Sequence, residues 1–119
     1  MSSYNSVSQA YKTAVSLRTQ RERDADVFEF FASVLYEAKK QRGIALIKAL
    51  ADNARLWHTV AAVAMDDNNP QPIHIRKSMA MLANNIVHEI AKPDPDIQLL
   101  IETNGKMAAG LRGIAPDGG

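Results

Sequence analysis

Three histidines and two clusters of carboxylates are the side chains of this 119-residue chain best suited to chemistry. His58 follows Trp57, His74 lies near the start of a helical segment, and His88 precedes Glu89. A zinc site of the metalloprotease kind needs two histidines four apart on one helix face, with a glutamate between them. No pair in this chain has that spacing. Consecutive positions such as His88 and Glu89 point to different sides of a helix and do not form an acid–base pair. The histidines therefore read as ordinary surface or boundary residues. The carboxylates of "DADVFE" suit the electropositive start of a helix. Those of "MDDNNPQP" lack the spaced ligands, the glycine and the closing glutamate of a calcium loop. Glycines at 43, 105, 110, 113, 118 and 119 follow no strand, which removes a phosphate-binding loop. The absence of cysteine excludes disulfides, thiol catalysis and thiolate metal sites together. Neither an enzyme nor a cofactor is expected.

Composition limits the remaining classes. Hydrophobic residues make up 46% of the chain and aromatic ones only 6%, so the core must be built from Ala, Leu, Ile, Val and Met, which favours helices. A formal net charge of +1 supplies no global field toward nucleic acid or an anionic membrane. No apolar run approaches the roughly 20 residues that cross a bilayer, and the N-terminus lacks the layout of a signal peptide. A soluble cytoplasmic protein is the expectation.

The elements that must position any site are helical, because apolar residues recur at spacings of three and four. Val7, Ala10, Tyr11, Ala14 and Leu17 predict a short first helix capped by Ser6. A second is expected over "ERDADVFEFFASVLYEAKKQRG". Acidic residues open it, and Phe28, Phe31, Val34, Leu35 and Ala38 share a face. Lys39, Lys40 and Arg42 lie near its end, and Gly43 stops it. The third runs from about Ile44 to Met65 with Ile47, Leu50, Ala54, Trp57, Ala61 and Ala64 as its stripe. "DDNNPQP" breaks it. The fourth, from about Ile73 to Lys92, carries Ile75, Met79, Leu82, Ile86 and Ile90. Asp96 caps the last helix, which holds Ile97, Leu100, Ile101, Ala108 and Leu111 and ends at Gly113. The expected fold is all-α, a single-domain bundle of four to five helices over residues 1–113, with 114–119 a flexible tail.

Two asparagines interrupt this pattern. Asn53 stands three after Leu50 and four before Trp57, and Asn104 three after Ile101 and four before Ala108, so both fall on apolar stripes. A buried amide is costly unless hydrogen-bonded. The favoured reading is a bridge between helices that fixes register, with a partner-facing groove as the alternative. The basic clusters, with Arg18, Arg21 and Arg23 in one and Lys39, Lys40 and Arg42 in the other, read as solvated helix surface because acidic residues interleave and no aromatic platform accompanies them. No helix has the base-reading face of a DNA-binding motif, so direct DNA contact is not expected.

The same residues carry a resemblance. Asn53, Arg55, Leu56 and Trp57, then Asn69 and Pro72, then Leu100, Ile101, Asn104, Gly110 and Leu111 stand in the order and spacing of the FlaF family, flagellar biosynthesis regulators of alphaproteobacteria. Around Tyr11, Arg18 and Arg21 the chain is also similar to that family, so the resemblance covers about residues 5 to 112. The loop departs from the family pattern at "NNPQP", and Gly105-Lys106 stands where an arginine commonly follows the closing asparagine. The resemblance implies a cytoplasmic regulator of flagellin synthesis and export that binds flagellin as a secretion chaperone, alone or with the regulator FlbT. On that reading Tyr11, Phe28, Phe31, Asn53, Arg55, Trp57 and Asn104 are the expected partner-binding residues. The alternative is an RNA-binding regulator of flagellin messenger RNA, acting with FlbT, that makes contact through Arg18, Arg21, Lys39, Lys40 and Arg42.

Overall fold

No glycine or proline occurs before Gly43, so the strongest local signals for ending a helix are missing from the first third of the chain. The computed structural model describes the backbone of residues 3–113 and the side chains of residues 6–12 and 20–113. It has one unbroken helix, α1 (Ser3–Gln41), where two were expected. Ser6 lies inside that helix rather than capping it. Glu22, Asp24 and Asp26 occupy its middle, where the dipole of a helix start does not reach. The chain turns at Arg42, whose φ of 60° and ψ of −159° lie in a region that side-chain-bearing residues rarely adopt. Gly43, at φ 56°, begins α2 (Gly43–Met65) and tolerates the same sense of turn because it has no Cβ.

The remaining helices are α3 (Ile73–Ile90) and α4 (Ile97–Arg112), giving four helices among the described residues. Asp96 caps α4 as expected, its Oδ1 accepting from the Leu99 N–H at 3.0 Å. Gly113 ends α4 in the left-handed conformation at φ 77°. The expected tail, 114–119, lies outside the described residues.

α1 packs against α4, and α2 against α3; a smaller contact between α1 and α2 joins the two pairs into one bundle. A single core cluster draws on all four helices, with Phe28 and Leu35 from α1, Trp57 from α2, Ile86 from α3 and Leu100 from α4. Ala49 and Ala83 are buried in the same cluster. Ile47, Ile75 and Leu82, expected on the apolar stripes, are exposed.

α4 runs antiparallel along α1, from Lys39 beside Gln98 to Arg21 beside the carbonyls of Gly110 and Leu111. The helix before Arg21 therefore projects past the end of α4. This arm accounts for an extent of 61 Å along one axis against 33 and 31 Å along the others. Val7 and Tyr11, on the arm, are 66% and 68% exposed. No helix among the described residues is long and apolar enough to cross a membrane.

Candidate functional site

The two asparagines meet. Asn53 and Trp57 lie one turn apart on α2 and point at α4, where Asn104 stands between them. Trp57 Nε1–H donates to Asn104 Oδ1 at 2.9 Å, and Asn104 Nδ2 donates to Asn53 Oδ1 at 2.7 Å. All three side chains are fully buried. The chain of bonds fixes both amide orientations, because an indole only donates and each amide oxygen must then face its donor. Asn53 Nδ2 is left buried without an acceptor. This polar bridge connects α2 to α4, which belong to different helix pairs, and so sets the register of one pair against the other. The Phe28 ring packs on Trp57, with centroids 5.5 Å apart and planes at 58°.

Above that stack lies an open groove of about 390 Å³. Its walls are Val27 and Phe28 from α1, Leu56, Val60 and Val63 from α2, Met79 from α3, and Met107 and Leu111 from α4. Asp24 is the one charged side chain along it. Phe28 thus has a double position, lining the groove while resting on the tryptophan of the bridge.

Helix ends and polar anchors hold the groove's rim. Asn69 Nδ2 donates to the Val63 carbonyl at 2.9 Å, and Asn69 Oδ1 accepts from the Gln71 N–H at 3.0 Å. Arg76 donates to the Ala64 and Asp66 carbonyls at 2.7 and 2.9 Å. The Val63 and Asp66 carbonyls also accept backbone N–H groups, from Asp66 and Asn69, so the side chains add to the turn's own bonds and place a cation at the negative pole of α2. Arg21 performs the same task at the end of α4, donating to the carbonyls of Leu111 and Gly110. Arg112 bridges to Asp26 at 2.6 Å and Glu29 at 2.9 Å. Hydrogen bonding to Glu29 and then Asp26 holds its guanidinium pKa above the ordinary value.

The expected partner-binding residues separate into three groups. Asn53, Trp57 and Asn104 come together but have no exposed surface in the packed bundle. Phe28 belongs to the groove. Phe31 and Arg55 line a separate, shallower depression on the α1–α2 seam together with Phe30, which packs edge-on against Phe31 at 5.6 Å. Arg55 points to solvent with its side chain 82% exposed and reaches Asp52 at 3.5 Å. Tyr11 lies on the arm, exposed.

Of the expected RNA contacts, Arg21, Lys39 and Lys40 are spread along α1 and tied to other groups. Arg21 is engaged at the end of α4, and Lys39 reaches Gln98 at 3.3 Å. Lys40 lies 4.2 Å over the Tyr36 ring and 3.8 Å from Glu37. Arg42 is exposed at the turn into α2, and the Arg18 side chain lies outside the described residues. No cluster of metal-ligating side chains occurs among the described residues. The sequence did not point to Val27, Val60, Val63 and Met107 as groove walls. Val60 and Val63 follow Leu56 at helical spacing, a second stripe beside that of Trp57, and this was the available signal.

Fold and site together define a small helical-bundle protein with a sealed polar bridge and an open apolar groove. The family model described as Flagellar protein FlaF matches residues 7–111, a span that takes in the bridge and the groove, and the chain belongs to that family. It is a family of flagellar proteins and not of enzymes. No curated protein and no solved structure matches the chain.

Proposed function

We propose that this protein regulates flagellar assembly by binding flagellin as a secretion chaperone, with the apolar groove receiving an amphipathic helix of the client. Flagellin's terminal segments are amphipathic helices that must be kept from polymerising before export. A helix laid into a groove buries its apolar face and leaves its polar face in water. The observation that carries this reading is the groove itself, built from valine, leucine, phenylalanine and methionine of all four helices, with a single charged side chain. Met79 and Met107 suit it to a helix of imperfect complementarity, since unbranched thioether side chains adapt their shape. Nucleic acid has less to bind there, because no basic side chain lines the groove.

Calorimetry with monomeric flagellin at two salt concentrations tests the proposal. Salt-tolerant binding with a negative heat-capacity change is the expected result, the sign of apolar burial. Absence of binding to flagellin overturns it; heat with FlbT instead would make that regulator the groove's partner.

A further inference from the structure

We infer that the projecting arm of α1 docks into the groove of a second copy of this chain, and that two copies exchange arms about a two-fold axis. Val7, Ala10 and Tyr11 share a helix face and are all exposed. A solitary helix of this length is marginal in water without a surface to cover its apolar side. Its own groove is out of reach, because the arm is the continuation of the unbroken α1 past the point where Arg21 meets the end of α4, with no turn between them to fold it back.

Charge favours the same occupant. The first 21 residues contain no Asp or Glu and include Lys12, Arg18 and Arg21. The groove presents Asp24 and no basic side chain. Asp66 and Asp67 follow directly on the α2 end that supplies Val63, where Arg76 balances one of their charges. An arm that carries Lys12 and no carboxylate is complementary to an apolar groove whose one charged lining side chain is Asp24, whereas two arms lying on each other would bring like charges together.

Placement supplies the third argument. Arm and groove adjoin each other on one chain, since Asp24 and Val27 line the groove a turn beyond the arm's base. One two-fold axis near that base satisfies both copies reciprocally, the isologous geometry that closes a dimer and leaves no unpaired arm. The arm then competes with any other helix for the groove; this last consequence alone rests on the proposed flagellin reading.

The test needs no flagellin. Light scattering over a concentration series on the full chain is expected to give a dimer mass, falling to the monomer in Val7→Asp/Tyr11→Asp and equally in Val63→Asp. Circular dichroism and melting of each variant confirm that the bundle is intact. Since the chain has no cysteine, Tyr11→Cys copies mixed with Val63→Cys copies form a disulfide between unlike chains if the arm lies in the groove. A monomer at every concentration, a dimer unaffected by the arm substitutions, or no disulfide between unlike copies overturns the inference. Any of these leaves flagellin binding to be judged by its own calorimetry.

Discussion

The polar bridge and the apolar groove share Phe28 yet invert the usual distribution of residue types. Two asparagines are fully buried, while Val27 and Val63 stand exposed on the groove walls. Energetically the bridge is rigid because its bonds are made in a dry interior, where breaking one leaves a partner stranded. The groove is open because walls such as Val27 and Val63 are not covered by any of the described residues. Polar residues that interrupt an apolar stripe can therefore mark the frame of a site and not its contact surface.

Breaking the bridge should produce the largest effect. Trp57→Ala removes the biggest fully buried side chain and its bond to Asn104, with an expected loss of about 3–5 kcal/mol. Thermal or denaturant melting measures it, and a loss comparable to that of a surface substitution would contradict the packing described. Asn104→Leu comes next. It strands both Trp57 Nε1–H and Asn53 Oδ1, at about 1–3 kcal/mol for each buried group left unpaired. Asn53→Leu should cost clearly less, since it breaks one bond and removes a donor that has no acceptor. Equal losses in the two variants would mean that the hydrogen bonds run in another order.

On the groove side, Val63→Asp should weaken flagellin binding at least about tenfold while changing stability by no more than about 0.5 kcal/mol, as befits an exposed position. Calorimetry paired with melting separates the two quantities. If binding falls only in proportion to unfolding, the groove is not the contact surface.

A smaller effect concerns the α3–α4 connection, away from both regions. Glu89 accepts from Lys92 at 2.8 Å and from the Asp96 N–H at 2.9 Å, and these bonds, that of Lys92 first, hold its carboxyl below the ordinary carboxylate value. A group whose pKa is lowered by folding contributes stability fully above its unfolded value, about 4.3, and loses that contribution as the pH falls through its lower folded value. The melting difference between the parent and Glu89→Gln should thus be complete near neutral pH and vanish in strong acid. A difference that grows on acidification has the wrong sign for this linkage. Smallest of all, Arg55→Ala should leave stability within about 0.5 kcal/mol, because its ion pair with Asp52 is solvent-exposed. Melting that shifts further would show that Arg55 supports the seam beside Phe31.

Helix content, the loops at residues 66–72 and 91–96, the cap at Asp96 and the stop at Gly113 were legible in the sequence, because capping and turn chemistry act between residues close in the chain. So was the burial of Asn53 and Asn104, since each interrupts an apolar stripe at helical spacing. The single α1 was expected as two helices, the acidic residues from Glu22 to Asp26 being read as a helix start, although the absence of glycine and proline before residue 43 was the available sign of continuity. Which side of α2 and α3 turns inward was decided only in three dimensions. Periodicity defines a stripe and leaves its exact rotation free, so that Ala49 and Ala83 are buried while Ile47, Ile75 and Leu82, at the stripe's edge, are exposed. The pairing of Asn53 with Asn104, 51 residues apart, likewise arises only when α2 and α4 meet. Local chemistry specified the helices and their ends; the long-range packing of four faces decided what is sealed and what stays open.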